Sequence, residues 1–258
     1  MTGSQDNCDF QFDDLLNLSN EDVLNMDDSR RRVLMDFASN CLISVALGEL
    51  DHQIDGKNTL DLLVRLGADV NAKVPDELRQ AEGMTGYING KFDTVFHLAC
   101  MKGRKEVVSW FLALPCNEPP LHGTCSALQD DHWSHHHHSS LVAAAAAGQN
   151  TIVELILPLV WTTEMGTETY GFRTVCCALH EASSFGRLSV VQLLLANKTF
   201  VDEYISFICE LPVTICYWDP LGQATRNTHW PVVEALRLNV YNIPKVSTHI
   251  HLCEAEAV

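Results

Sequence analysis

The residues of greatest chemical reach are imidazoles. His135 to His138 run consecutively, preceded by Asp131, His132 and Trp133. Imidazoles in a loop can converge on a transition metal, but the plainer reading of such a run is a solvated finger, and no metal or other cofactor is expected. His97 and His180 resemble catalytic bases only in isolation, and His251 and Cys253 stand too close in sequence to form two members of a triad. The chain has no G-x-S-x-G elbow, no H-E-x-x-H, no P-loop and no G-x-G-x-x-G. Its ten cysteines are dispersed, with no C-x-x-C, and Cys176 and Cys177 are adjacent. They read as reduced, buried, small apolar residues, so a structural zinc site is not supported. The residues therefore give no support to an enzyme.

The elements that carry these groups belong to a chain of 258 residues, a length that suits one large domain or two small ones. Hydrophobic residues make up 47%, and 33 acidic against 17 basic side chains leave a net charge of -16. Such a surface repels phosphate backbones, which excludes nucleic acid as an expected partner. No apolar run approaches the roughly 18 residues of a membrane span, and the start MTGSQDNCDFQFDD lacks the basic and apolar regions of a secretory signal. The expectation is a soluble monomer of the cytoplasm, or of the nucleus.

Four segments align without internal gaps: DTVFHLACMKGRKEVVSWFLAL (93 to 114), HSSLVAAAAAGQNTIVELILPL (138 to 159), CCALHEASSFGRLSVVQLLLAN (176 to 197) and WDPLGQATRNTHWPVVEALRLN (218 to 239). Each reads as two short helices around a tight turn. Phe96, Ala99 and Cys100 recur at helical spacing, Gly103 interrupts, and Val107, Val108, Phe111 and Leu112 resume. Ala99, Ala144, Ala182 and Ala224 share one position, where a larger side chain would push neighbouring helix layers apart.

These segments resemble the ankyrin repeat. Its T-P-L-H-x-A pattern is matched by Thr94-Val-Phe-His97-Leu-Ala99, by Ala178-Leu179-His180-Glu-Ala182 and by Pro220-Leu221-Gly-Gln-Ala224. A fifth copy lies upstream: NTLDLLVRLGADVNA (58 to 72) looks like a second helix with its closing turn at Gly67, its first helix expected over Asn40 to Leu47 with Gly48 as the turn. The resemblance implies an all-α solenoid of stacked helix-turn-helix units over 40 to 243, acting as a non-enzymatic protein-interaction module. It also implies structural roles for His97 and His180 through bonds to a neighbouring loop. Leu63, Asp69, Val70 and Asn71 fit the pattern that asparaginyl hydroxylases modify in such repeats, although Asn71 reads equally as bonding its own turn.

The turn positions 103, 148, 186 and 228 are 45, 38 and 42 residues apart, against about 33 in the family. The excess falls between one repeat's second helix and the next repeat's first, so long projecting loops are expected there. The last copy departs further, with Thr228 at the turn glycine and Gly222 at the histidine. The tail, 244 to 258, has no sustained helical pattern. Either it folds back over the last repeat, or a partner or a continuation of the chain covers that end.

Residues 1 to 39 form a separate zone. Positions 1 to 28 hold eight acidic and no basic side chains, and the first part is expected to be disordered or loosely helical before a capping helix. DFQFDDLLNL is similar to acidic-hydrophobic segments that fold into partner grooves. LLNLSNEDVL resembles the opening of an F-box, with Ser19 where that module has proline. These features give the alternative function, a substrate-recruiting adaptor or effector whose repeats select the substrate. The plainer reading is a solvated lead-in to the first helix. A protein partner is expected in the concave groove and on the loops, through residues flanking the first helices: Lys91, Asp93, Met101, Lys102, His136, His138, Arg173, Ser184, Phe185, Trp218 and Arg226.

Overall fold

The computed structural model describes residues 11–50, 56–82, 94–114, 140–162, 168–210 and 219–241, and among these the protein is all-α. The acidic lead-in forms α1 (Phe12–Asn17) and α2 (Asn20–Leu24). Between them the Ser19 hydroxyl accepts the Asp22 N–H at 3.1 Å while the Asp22 carboxylate accepts the Ser19 N–H at 2.9 Å, a reciprocal cap that satisfies two orphan donors. Leu15 is fully buried, with Phe12, Leu18, Val23 and Met26 packed on the core. Much of the apolar face of this segment is thus spent within the chain.

Helix α3 (Asp28–Leu47) is 20 residues long. It starts well before Asn40, where the sequence pattern places a first helix, and runs through the boundary expected at residue 39. The cause is local: the Asp27 carboxylate caps the Arg30 N–H at 2.8 Å, and Leu34, Ala38, Cys41, Leu42 and Val45 recur on one buried stripe. Arg31 donates to the carbonyls of Leu24 and Met26, both at 3.1 Å, closing the C-terminal end of α2 against α3.

Five helix pairs follow one plan. Helix α3 turns at Gly48 before α4 (Gly56–Arg65); a short helix, α5 (Asp76–Ala81), precedes the next pair. Then come α6 (Val95–Met101) with α7 (Lys105–Ala113), α8 (Ser140–Ala147) with α9 (Asn150–Thr162), and α10 (Glu168–Ser184) with α11 (Leu188–Leu195). After α12 (Lys198–Glu210), α13 (Pro220–Arg226) pairs with α14 (Trp230–Leu236), which runs into a π-helical turn, Arg237–Tyr241. Helices α3, α6, α8, α10 and α13 pack in succession as one layer, and α4, α7, α9, α11 and α14 as the other.

Small side chains permit the first layer's close approach. Ala99, Ala144, Ala182 and Ala224 are each fully buried. Between the layers Phe111 of α7 meets Phe96 of α6 edge-on at 5.3 Å, and within the second layer Trp110 Nε1 donates to Asp61 Oδ1 at 2.7 Å, tying α7 to α4. Thr94 caps α6, and the Val95 N–H donates to the Ala72 carbonyl at 3.1 Å beside the Lys73–Thr94 bridge.

Two expectations need correction. The stretch after Asn197, expected as a projecting loop, is the helix α12, because Phe200, Val201 and Tyr204 at helical spacing are buried. Helix α10 likewise begins at Glu168, upstream of its repeat segment, with Val175 buried in the extension. The stretches 115–139, 163–167 and 211–218, expected as loops, and the tail from 244 lie outside the described residues.

Candidate binding surface

The turns repeat one hydrogen-bond arrangement. Gly103, Gly148 and Gly186 have φ of 69°, 82° and 67°, and Thr228 has 61°, the left-handed conformation in which an L side chain is strained. The N–H of the following residue closes each first helix onto the shared alanine: Arg104 onto Ala99 at 3.0 Å, Gln149 onto Ala144 at 2.9 Å, Arg187 onto Ala182 at 2.7 Å and His229 onto Ala224 at 2.8 Å.

The side chains of three of these residues also reach back to the turn before. Gln149 Nε2 donates to the Met101 carbonyl at 2.9 Å, Arg187 Nε to the Ala146 carbonyl at 2.9 Å, and His229 Nε2 to the Ser184 carbonyl at 3.0 Å. Each carbonyl lies two residues before its turn glycine. Asn227 Nδ2 adds a second bond to Ser184, at 2.9 Å. One edge of the stack is therefore a ladder of side-chain rungs that occupy the space a Cβ on each glycine would need.

The expected site residues divide on this frame. Met101, Lys102, Ser184, Phe185 and Arg226 all sit at the C-terminal ends of first helices, on the laddered edge. Met101 and Ser184 serve the rungs through their carbonyls, and Lys102 pairs with Glu82. Phe185 is 40% exposed and Arg226 is exposed. Arg173 is exposed on α10, twelve residues from Phe185 and so roughly 18 Å along the axis; it belongs to another surface. Lys91, Asp93, His136, His138 and Trp218 lie outside the described residues.

The groove-facing expectation meets a limit at α6 and α8. Every residue from 95 to 100 and from 140 to 146 is buried, so these first helices offer a partner no exposed side chain there. The pattern-based reading passed over Trp230, which is 61% exposed. Its neighbours gave the signal: it follows the turn and precedes Pro231, as the first residue of α14, where no preceding turn of the helix covers it.

The histidines expected to be structural are buried. His97 Nδ1 lies 2.8 Å from Thr94 Oγ1, within its own capping turn, and His180 Nδ1 lies 3.5 Å from Glu181 Oε1. Asn71 donates its N–H to Asp69 Oδ1 at 2.9 Å. Burial pushes the Cys41 thiol up to about 11 and the Cys177 thiol to about 12, and raises Cys100 and Cys176 as well. These four are protonated thiols at neutral pH and poor nucleophiles.

A polar node of half-buried Asp219 with buried Tyr204 and Tyr241 closes the last pair. Asp219 accepts the N–H of Leu221 at 3.3 Å and of Gly222 at 3.0 Å, and the Tyr241 hydroxyl. Tyr241 is in turn hydrogen-bonded to Tyr204. Burial raises the Asp219 carboxyl above its ordinary range, against the pull of Tyr241, the two amides and nearby His180. Among the described residues, no three His, Cys, Asp or Glu side chains group to hold a metal ion, and no helix is long and apolar enough to cross a membrane. No protein-family model, curated protein or solved structure matches the chain.

Proposed function

We propose that this protein is a non-enzymatic interaction module of the cytoplasm or nucleus, built as an ankyrin-type solenoid that binds a protein partner. The in-register turns, the four buried alanines and the two stacked layers support the solenoid reading. The observation that carries the binding role is the exposure of Phe185 and Trp230 on either side of one rung, His229 to Ser184. Large aromatics left partly exposed beside a hydrogen-bonded edge are efficient anchors, because they bury much area at low entropic cost.

The test is crosslinking of the full-length chain in cells of its native host, followed by mass spectrometry. A stoichiometric protein partner is expected, with recovery falling more than about tenfold for Phe185→Ala with Trp230→Ala, equivalent to roughly 1.4 kcal/mol. Absence of any stoichiometric partner overturns the reading.

The adaptor reading draws support from Leu16 and Leu24, exposed on the acidic lead-in. Because α3 runs across residue 39, deleting residues 1 to 39 would remove part of a core helix. Leu16→Ser with Leu24→Ser is the cleaner probe, and loss of a distinct partner in that variant favours recruitment by the N-terminus.

A further inference from the structure

The laddered edge differs in charge from the rest of the molecule. Residues 184 to 187 and 226 to 230 contain Arg187, Arg226 and His229 and no acidic side chain, in a chain of net charge -16. The two turns touch: Ser184 accepts from Asn227 and His229, and the His229 ring lies over Gly186. Phe185, Arg187, Arg226 and Trp230 are the immediate chain neighbours of these contacting residues, so two touching turns bring together two exposed aromatics and two exposed cations. Arg187 spends its Nε on Ala146, and Arg226 makes no ion pair among the described residues.

We propose that the edge of the third and fourth turns docks an acidic peptide segment of a partner protein, with Phe185 and Trp230 taking its apolar side chains and Arg187 and Arg226 its carboxylates. The inference rests on the interaction-module reading and specifies the chemistry of the partner. Arginine suits this role because its planar fork engages a carboxylate through two parallel bonds. The net charge of -16 works in the same direction, since a carboxylate-rich segment is repelled by the acid-bearing parts of the surface and not by these two acid-free turns. The rungs hold the two turns in fixed relation before the peptide arrives, so little ordering entropy is lost on this side of the interface.

The experiment pans two displayed pools of short peptides on the full-length chain. One pool alternates Asp and Glu with Leu, Phe and Trp; the other carries Lys and Arg in place of the acids. The strongest peptide recovered is then titrated by fluorescence anisotropy against wild type, Trp230→Ala, Arg226→Glu and the remote control Val33→Ala, at an exposed apolar position on α3, with circular dichroism to confirm folding. The acidic pool is expected to yield the binder. Its affinity should fall about tenfold or more in each edge variant, stay unchanged in the control, and weaken with added salt. Recovery from the basic pool, or from neither, overturns the proposal. So does an acidic peptide indifferent to both edge variants, and that outcome leaves the module reading standing with its surface elsewhere. Failure of the module reading itself is read separately, from the crosslinking experiment.

Discussion

The His229 imidazole sits directly over Gly186: its Nδ1 lies 2.6 Å from the point where a Cβ on that glycine would project, while its Nε2 bonds the Ser184 carbonyl at 3.0 Å. Glycine is thus required at this turn twice, once for its φ of 67° and once for the space the rung occupies.

Gly186→Ala should therefore destabilise by about 1–3 kcal/mol through backbone strain, with the displaced rung adding to the loss. Gly222→Ala should do the opposite. Gly222 is inside α13, and a Cβ there meets nothing closer than 3.4 Å, so the gain in helix propensity is up to about 1 kcal/mol. Urea denaturation of the two variants should give shifts of opposite sign; matching signs would refute the ladder.

Thr228 holds a left-handed conformation with a β-branched side chain. Thr228→Gly should stabilise by about 1 kcal/mol as that strain is removed, seen as a higher melting temperature. A lower one would mean that the threonine side chain contributes more than its backbone costs.

Ala182 is fully buried between successive helices of the first layer. Ala182→Leu should overpack that layer and cost about 1–3 kcal/mol. An exposed site such as Lys57→Ser should change stability by less than about 0.5 kcal/mol. Thermal melts that reversed this ranking would show the layer register to be wrong.

Asp219 has its carboxyl raised above the ordinary 3.8 by burial. Above that value the folded state holds this proton longer than the unfolded state, so the group's contribution to stability declines as pH rises through the interval up to the folded pKa. Asp219→Asn keeps an acceptor for the α13 cap and for Tyr241 without a buried charge. Denaturant midpoints from pH 4 upward should show a wild-type decline relative to the variant, and parallel curves would contradict the assignment.

The turns and the alanine layer were legible because both are written in single residue types at fixed offsets: Gly103, Gly148 and Gly186 carry the turns, and Ala99, Ala144, Ala182 and Ala224 the packing. Helix α12 was obscured by the same strength. Aligning the chain to one repeat length assigned every excess residue to a loop, although Phe200, Val201 and Tyr204 already had helical spacing. The start of α3 was hidden for a related reason, since Asp27 and Leu34 lie in a stretch read for its charge. The rungs were beyond reach, because Gln149, Arg187 and His229 share a position and a function but no side-chain chemistry. Arg237 shows what the alignment did carry: it stands where Leu112, Leu157 and Leu195 stand in the earlier pairs and is exposed.

The ladder gives the stack an asymmetric stiffness. Along the turn edge, rungs of 2.9 to 3.0 Å pin each of the last three pairs to the one before. Along the opposite edge the connections differ in length, the turns being 45, 38 and 42 residues apart. A force that separates these pairs along the turn edge has to break those hydrogen bonds, so that edge acts as their spine. Phe185 and Trp230 flank one vertebra of that spine, the bond from His229 to Ser184, and their spacing is set by it.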